Sequence, residues 1–292
     1  MISSRFVAAA LQMRSSDDVA ANLASCREGA ATAVQKGAAL LVLPECFAFL
    51  GSREGDKLAI AEVLDPAHPG PILTALMEIA TEHRIWLIAG GMPEILPSEA
   101  GTTTLTRTYN TCLVLAPDGT IAAAYRKIHL FDVDIPGGAV LRESASTAPG
   151  SQPTVVSTPL APIGLSVCYD VRFPELYREL TVRMGATMLV VPAAFTAHTG
   201  AAHWHILLRA RAIENQCYLI AAAQWGQHND KRRSFGHTMI IDPWGTIVAE
   251  LGEGVGVVVA EIDPEVVQLR RQQMPCLSHQ ILLGQQDPGS RG

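Results

Sequence analysis

A run of four apolar residues places the tightest constraint on how this chain can fold. Leu40–Leu43 stands between Gly37 and Pro44 without any polar residue. An unbroken apolar run of this length is typical of a strand buried on both faces, as in parallel sheets covered by helices. Before it, Asp17–Lys36 has apolar residues at helical spacing, and Phe6–Met13 has the pattern of another strand. The start of the chain therefore predicts a β-α-β unit within a mixed α/β fold.

The alternation of helices and strands continues along the chain. We expect further helices at Arg53–Leu64, Pro71–His83, Phe173–Met184 and Ala202–Asn215, and further strands at Ile85–Ala89, Ile163–Val167, Met188–Val191 and Cys217–Ala223. The glycines Gly90-Gly91 are expected to end the strand before them.

Two turn sequences between apolar runs predict antiparallel hairpins. Pro117-Asp118-Gly119 separates Asn110–Leu115 from Thr120–Tyr125, and the turn 242–245 separates two short apolar runs later in the chain. A hairpin in each half indicates an internally duplicated architecture. The segment 132–159 is rich in Pro, Gly, Ser and Thr, and we expect it to be a long functional loop.

The chain contains 292 residues, of which 48% are hydrophobic and 17% charged, so it can bury a substantial core. No low-complexity linker divides it. We therefore expect a single domain over residues 1–279, followed by a C-terminal arm or tail over 280–292.

Charge and hydropathy exclude several classes of partner. The formal net charge is -6, so there is no overall positive field to attract nucleic acid. The longest apolar stretches are far shorter than the roughly 18 residues of a membrane span. Six cysteines are scattered without any C-x-x-C pair, which favours reduced thiols over a disulfide framework. We expect a cytoplasmic protein that acts on a small molecule.

Three chemically reactive side chains follow predicted strands. Glu45 follows the Leu40–Leu43 strand after one proline, Cys168 comes directly after Ile163–Val167, and Lys127 follows the second strand of the first hairpin. Open α/β sheets bind ligands at the carboxyl ends of their strands. A carboxylate, an amine and a thiol therefore converge in this prediction.

Each residue also has a simpler interpretation. A cysteine is more often a small buried hydrophobe than a nucleophile, and a lysine next to an arginine is usually exposed. Cys168 differs because a polar turn beginning at Tyr169 leads from it into a predicted helix, whose backbone N–H groups lower a thiol pKa. For this cysteine a catalytic role is the stronger interpretation.

Other kinds of site are disfavoured. His203 and His205 lie two residues apart on a predicted helix and so point in different directions, unlike the i, i+4 spacing of paired metal ligands. A G-x-S-x-G sequence and the glycine-rich nucleotide-binding motifs are absent. We therefore expect no metal and no cofactor, which leaves covalent catalysis by protein groups alone.

These motifs resemble the nitrilase superfamily of carbon–nitrogen hydrolases. Its Glu-Lys-Cys triad is matched in order by Leu-Pro-Glu45, Tyr-Arg-Lys127-Ile-His and Cys168-Tyr-Asp-Val-Arg, and the resemblance covers nearly the whole chain. It implies a four-layer α-β-β-α sandwich with pseudo-twofold halves, and a homodimer or higher homo-oligomer paired through helices near the nucleophile. A second family glutamate matches Glu143.

The resemblance also implies a mechanism. Glu45 serves as general base for the Cys168 thiol, and Lys127 with the backbone N–H of Tyr169 stabilises the oxyanion. Glu143 holds the lysine and the incoming group in place.

Within the superfamily, the segments 200–218, 221–224 and 231–237 are most similar to the branch that hydrolyses deaminated glutathione to 2-oxoglutarate and cysteinylglycine. This implies a substrate carboxylate bound by Arg172, with Phe195 and Thr199 also at the substrate site. The simpler interpretation of Arg172 is an ion pair with Glu175 on its own helix.

Other functions keep the same residues. An omega-amidase acting on 2-oxoglutaramate, a nitrilase or an N-carbamoyl amino acid hydrolase would use the same triad on another substrate. A non-catalytic metabolite-binding module is a further alternative, although such a module needs none of Glu45, Lys127 and Cys168.

Overall fold

The computed structural model describes residues 5–102, 104–134 and 140–281. The strands are β1 (Phe6–Gln12), β2 (Ala38–Leu43), β3 (Trp86–Ile95), β4 (Thr108–Leu115), β5 (Ile121–Arg126), β6 (Asp132–Asp134), β7 (Val140–Arg142), β8 (Val155–Ser157), β9 (Pro162–Leu165), β10 (Met188–Val190), β11 (Tyr218–Ala221), β12 (Trp225–Gln227), β13 (Arg233–Phe235), β14 (Thr238–Ile241), β15 (Ile247–Leu251) and β16 (Gly256–Ile262). The α-helices are α1 (Val19–Gln35), α2 (Pro71–His83), α3 (Pro174–Arg178), α4 (Ala197–Asn215) and α5 (Pro264–Gln273).

Two six-stranded sheets share one succession of strand directions. The first has the order β16-β1-β2-β3-β4-β5 and the second the order β8-β9-β10-β11-β14-β15. In each sheet, three neighbouring strands are parallel: β1, β2 and β3 in the first sheet, and β9, β10 and β11 in the second. Two antiparallel strands continue each sheet at one edge, and one antiparallel strand, β16 or β8, pairs at the other edge. The shared topology confirms the pseudo-twofold halves expected from the two hairpins.

The apolar run Leu40–Leu43, which ends β2, shows how the layers pack. Leu40 and Val42 belong to the core between the two sheets, whereas Leu41 and Leu43 belong to the core beneath α1 and α2. All four side chains are fully buried, as their unbroken pattern predicts. Helix α4 covers the outer face of the second sheet through residues such as Trp204. The result is the expected four-layer α-β-β-α sandwich.

Several boundaries differ from the sequence predictions. The strand expected to end before Gly90-Gly91 continues to Ile95, because the glycine pair forms a bulge against β4. The helix expected at Arg53–Leu64 is a shorter 3₁₀ helix, Glu54–Ile60. The helix expected at Phe173–Met184 divides into α3 and a π-helical turn, Glu179–Arg183.

Other segments contain more regular structure than their composition indicates. The expected loop 132–159 includes the short hairpin β6–β7, the 3₁₀ turn Glu143–Ala145 and strand β8. Helix α4 begins at Ala197, five residues before the prediction. Helix α5, which was not predicted, begins at Pro264 and is capped by Asp263, whose side chain accepts a hydrogen bond from the N–H of Glu265.

The expected C-terminal arm, residues 280–292, lies outside the described residues from position 282 onward. All six cysteines are unpaired thiols. Over the ranges given above, none of the helices is both long enough and apolar enough to cross a membrane.

Candidate active site

Four residues named from the sequence meet at one cavity. Glu45 lies just beyond β2, Lys127 directly after β5, Cys168 beyond β9, and Glu143 at the start of the 3₁₀ turn that follows β7. All four line a cavity of about 400 Å³. The carboxyl ends of buried strands thus bring together side chains that are as far apart in the chain as residues 45 and 168.

Lys127 is the centre of the charge network. Its Nζ lies 3.0 Å from Glu45 Oε1, and 3.0 and 2.9 Å from the two carboxylate oxygens of Glu143. The lysine is only 2% exposed. Burial opposes its charge, but the two carboxylates outweigh this and raise the pKa of Lys127 well above its usual value. The ammonium therefore stays protonated throughout the neutral range.

Glu45 is held through both carboxylate oxygens. Oε1 accepts hydrogen bonds from Lys127 and from Asn110 Nδ2 at 2.9 Å, and Oε2 accepts one from the backbone N–H of Ala194 at 2.9 Å. Burial raises the pKa of Glu45. The charge of Lys127 and hydrogen bonds from Cys168, Lys127 and Ala194 lower it by a larger amount, so the net shift is downward. The buried carboxylate is therefore ionised and fixed in orientation.

Cys168 is a neutral thiol in this setting. Burial raises its pKa, the neighbouring Glu45 carboxylate raises it further, and the opposing charge of Lys127 does not compensate. A backbone N–H, that of Ala194, lowers this pKa as the sequence argument expects, but burial and Glu45 outweigh it and the net shift is upward. Cys168 is the first residue of a short 3₁₀ turn, Cys168–Arg172. The backbone N–H of Cys168 donates to the carbonyl of Pro192 at 2.9 Å.

The backbone of Cys168 adopts a left-handed conformation. Its φ is +49°, a region that non-glycine residues rarely occupy. Such strain persists only where surrounding contacts hold it, and the hydrogen bond to Pro192 is one such contact. The sharp turn after β9 keeps the thiol on the cavity wall, where it donates a hydrogen bond to Glu45.

Asn110 and Gly91 are site residues that the sequence did not indicate. Asn110 Nδ2 bridges Glu45 Oε1 and, at 3.4 Å, Glu143 Oε1. Gly91 has φ +105°, and a Cβ there would lie 2.4 Å from Asn110 Oδ1, so a side chain cannot fit. The bulge at Gly91 faces Asn110 across the sheet, a contact that no local pattern in the sequence reports.

The neighbouring Gly90 lies where the first sheet closely approaches a loop of the second half. A Cβ on this residue would lie 2.0 Å from Cβ of Pro192 and 2.6 Å from the carbonyl oxygen of Leu43. The first sheet can therefore approach the loop after β10 this closely only because residue 90 has no side chain.

Asp170 links the two halves beside Cys168. Its buried carboxylate accepts hydrogen bonds from Tyr125 Oη at 2.8 Å, from the N–H of His129 at 3.1 Å and from the N–H of Val167 at 2.9 Å, and it lies 2.7 Å from Nδ1 of His129. Tyr125 and His129 flank Lys127 in sequence. One carboxylate thus fixes the lysine segment relative to the Cys168 turn.

Among the described residues, none of the four substrate-binding candidates lines the cavity, but three of them form a cluster beside it. The Arg172 guanidinium lies 5.1 Å from the ring centre of Phe195 and 5.9 Å from that of Tyr169. It also contacts His203 Nδ1 at 3.3 Å. Thr199 contacts Thr196, a cavity residue, through hydroxyls 2.7 Å apart.

The mouth of the cavity carries positive charge. Its lining includes the cations Arg53, Lys57, Lys231, Arg232 and Arg233. Three of these have carboxylate partners, at Asp56 and Glu54. Lys231 and Arg233 form no ion pair within the described part of the chain, so the rim can attract an anionic ligand.

The two histidines considered as metal ligands point to different neighbours. His203 contacts Arg172, whereas His205 Nε2 lies 2.8 Å from Glu250 Oε1. His205 belongs instead to a group with His237 and Glu250, whose potential ligand atoms all lie within 4.8 Å of one another.

The four-layer sandwich, with a buried carboxylate, ammonium and thiol at one cavity, is typical of a hydrolase of the nitrilase type. The family model for carbon–nitrogen hydrolases matches residues 7–272. The chain therefore belongs to the carbon–nitrogen hydrolase family and is an amidase-type hydrolase acting on carbon–nitrogen bonds.

Curated relatives and solved structures agree with this assignment. The chain is 47% identical over 280 residues to the deaminated glutathione amidase of Synechocystis, covering 95% of this chain and 99% of the relative. It is 43% identical to the human deaminated glutathione amidase, with 93% and 81% covered. The crystal structure of the C. elegans NitFhit protein superposes with a TM-score of 0.87 at 42% identity, covering 96% of this chain and 66% of that one. Yeast Nit3 gives 0.82 at 34% identity, with 94% and 96% covered.

Proposed function

We propose that this protein hydrolyses the amide bond of deaminated glutathione, releasing 2-oxoglutarate and cysteinylglycine in a metabolite-repair reaction. The observation that supports this reaction type is that Lys127 and Cys168 both hydrogen-bond to Glu45, and that all three buried side chains line one cavity. The substrate is proposed from relatives named deaminated glutathione amidase, which are 42–47% identical over at least 93% of the chain.

The first step uses the ionised carboxylate beside a neutral thiol. Glu45 removes the proton from Cys168 Sγ as the sulfur attacks the carbonyl carbon of the amide. The shifts in pKa support this pairing, because the carboxylate of Glu45 is held ionised and the thiol of Cys168 is held protonated until substrate is present. Attack forms a C–S bond and a tetrahedral oxyanion.

The oxyanion then receives hydrogen bonds from Lys127 Nζ and from the backbone N–H of Tyr169. Each preorganised donor of this kind contributes about 3–4 kcal/mol of transition-state stabilisation. Glu143 positions the lysine through contacts of 3.0 and 2.9 Å to both of its carboxylate oxygens. Asn110, which bridges the two glutamates, supports the same arrangement.

Collapse of the intermediate breaks the C–N bond. Glu45 transfers its proton to the departing nitrogen, so cysteinylglycine leaves as a neutral amine. The same carboxylate then takes a proton from water, whose oxygen attacks the thioester. The C–S bond breaks, Cys168 regains a proton, and 2-oxoglutarate is released.

We assign the oxo-acid carboxylate of the substrate to Arg172. Within the described residues this guanidinium has no carboxylate partner, and Glu175 does not pair with it as the simpler interpretation required. Phe195 and Tyr169 pack against the guanidinium. Thr199 is connected to the cavity through the hydroxyl of Thr196, a cavity-lining residue. A planar guanidinium can bind a carboxylate with two parallel hydrogen bonds.

The assembly and the compartment are also proposals. We infer a homodimer or higher homo-oligomer that pairs through helices near the nucleophile, because α4 exposes Ile206 at 70% and Ile213 at 46%. We place the protein in the cytoplasm because its six cysteines are free thiols. We also propose a single hydrolase domain over residues 1–279, since one family model matches residues 7–272.

Comparative kinetics test the substrate. We expect kcat/KM for release of 2-oxoglutarate from deaminated glutathione to exceed that for 2-oxoglutaramate, simple nitriles and N-carbamoyl amino acids by orders of magnitude. Preparations of the Cys168→Ala variant measure contaminating activity. Faster turnover of one of the other substrates would keep the triad and reject the substrate, whereas binding without turnover of any substrate would support a metabolite-binding module.

The carboxylate assignment is tested separately with Arg172→Met. Loss of a charge-assisted hydrogen-bond pair costs about 1.5–3 kcal/mol, so we expect KM for deaminated glutathione to rise about 10- to 100-fold while kcat changes little. Glu175→Gln is the matched control from the next helix and should leave KM unchanged. If the Arg172→Met variant had the same KM for deaminated glutathione as the wild type, Arg172 would not bind the substrate carboxylate.

A further inference from the structure

A second group of interacting polar side chains lies apart from the cavity. His205 Nε2 and His237 Nδ1 approach the same oxygen, Glu250 Oε1, at 2.8 and 2.7 Å. None of the three lines the cavity, as far as the described residues show. We propose that these residues form a binding site for a divalent transition metal, with Zn²⁺ as the best match.

Three separate elements supply the ligands. His205 lies on α4, His237 immediately precedes β14, and Glu250 lies on β15. The β14–β15 pairing sets Met239 opposite Glu250, so the glutamate lies diagonally across from His237. A bound metal would join the helix to the hairpin.

The position of His237 is fixed by its backbone as well as its ring. Its φ is +59°, a left-handed conformation uncommon outside glycine. Its N–H donates to the carbonyl of Gly252 at 3.3 Å, and its own carbonyl accepts from Trp204 Nε1 at 2.9 Å. Phe235 stacks on the imidazole with ring centres 4.3 Å apart. These contacts hold a strained residue where its ring nitrogen faces Glu250, which is the preorganisation that metal sites need.

The donor set selects the kind of metal. Two imidazole nitrogens and one carboxylate oxygen suit Zn²⁺, whereas Ca²⁺ and Mg²⁺ prefer oxygen ligands throughout. Three protein ligands leave one position of a tetrahedral site for water. On binding, each imidazole presents the lone pair of the nitrogen that now faces Glu250 Oε1 to the metal and carries its ring proton on the other nitrogen.

The site is connected to the cavity through a short strand. In β13, Ser234 lines the cavity while the adjacent Phe235 stacks on His237. The metal would therefore bind close to the cavity wall without contacting the reacting groups.

Calorimetric titration of chelator-treated protein with Zn²⁺ tests the proposal. We expect one Zn²⁺ per chain, with affinity reduced at least about tenfold in His205→Ala and in Glu250→Gln, since even outer-shell changes weaken metal sites by 10–100-fold. His205 lies half-exposed on a helix, so its replacement does not disturb the strained turn at His237. His68→Ala is the matched control, because His68 also lies 3.0 Å from a carboxylate, that of Asp65, but lacks a second histidine.

A second measurement separates this site from the thiols. Co²⁺ bound to nitrogen and oxygen gives ligand-field absorption without a sulfur-to-metal charge-transfer band, and we expect that spectrum in the wild type and in Cys276→Ser. A charge-transfer band would assign the metal to a cysteine and overturn the proposal. Unchanged Zn²⁺ affinity in His205→Ala and Glu250→Gln, or no binding to the wild type, would overturn it as well.

Discussion

The two sheets have the same succession of strands but contribute different groups to the cavity. Glu45 lies two residues beyond β2, and Pro192 lies two residues beyond the corresponding strand, β10. Lys127 directly follows β5, and Gly252 directly follows β15. Conversely, Cys168 lies three residues beyond β9, and the corresponding position in the first half, three residues beyond β1, is Ser15.

The first half thus supplies charge and the second supplies the thiol and backbone groups. The second half contributes the N–H of Ala194, which binds Glu45, and the carbonyl of Pro192, which binds the N–H of Cys168. Ser15 is buried and serves structure, accepting a hydrogen bond from Gln224 Nε2 at 2.7 Å. A duplicated scaffold therefore need not duplicate its chemistry, because each matching strand end carries a different residue.

Removing the thiol tests the contribution of the second half and should have the largest effect. We expect Cys168→Ala to lower kcat by at least about 10⁴-fold, as for other covalent nucleophiles, with an unchanged circular dichroism spectrum. Cys46→Ala is the control, because Cys46 also lines the cavity and burial raises its pKa to about 12. Mass spectrometry of a trapped acyl-enzyme should locate the adduct on Cys168. An adduct on Cys46 would reverse the assignment.

Removing the ammonium tests the contribution of the first half. Lys127→Met leaves two buried carboxylates without their cation, so we expect about 3–5 kcal/mol less stability and a kcat lower by about 10²–10³-fold. Denaturant unfolding and steady-state kinetics measure the two effects. Arg126→Met, which breaks the adjacent ion pair with Glu94 outside the cavity, should reduce stability but keep kcat. Equal loss of kcat in both variants would mean that Lys127 acts only through stability.

The pH dependence should show the smallest effect. Since the pKa of Glu45 is lowered and that of Lys127 is raised, both groups keep their charge across the neutral range. The raised pKa of Cys168 likewise keeps the thiol protonated. We therefore expect log kcat/KM to be flat through neutral pH, with losses only in acid below the Glu45 transition and in strong alkali. A rise with a midpoint near the ordinary thiol pKa of about 8.5 would indicate that a free thiolate, not the Glu45-paired thiol, reacts.

Local patterns in the sequence predicted a mixed α/β fold and the positions that meet at the cavity, whereas the four layers were implied by the family resemblance. The unbroken run at Leu40–Leu43 requires a strand buried on both faces, and residues that follow such strands share one sheet edge. Glu45, Lys127 and Cys168 follow strands in this way, and their order matched a known family. Their chemical roles rest on the proposals above.

Residues whose importance depends on distant contacts escaped sequence analysis. Asn110 is 65 residues from Glu45, and Asp170 receives its hydrogen bonds from elements 41 and 45 residues away. The glycine pair before Met92 looked like a strand end because glycine also marks turns, whereas here it forms a bulge. His205 lies on α4, but its partners His237 and Glu250 belong to the segment of the second sheet around β14 and β15. The spacing of His205 from His203 therefore carried no information about them.

The close approach at Gly90 determines where new substrates can be accommodated by redesign. Any side chain at this position would collide with Pro192 and push apart the segments that carry Glu45 and the Ala194 N–H. This junction of Gly90 with Pro192 is therefore closed to variation. The mouth is built from short pieces, the 3₁₀ helix Glu54–Ile60 and strand β13, which tolerate exchange. Selection for altered specificity in this scaffold should accordingly accumulate changes at the mouth and leave the junction of Gly90 with Pro192 untouched.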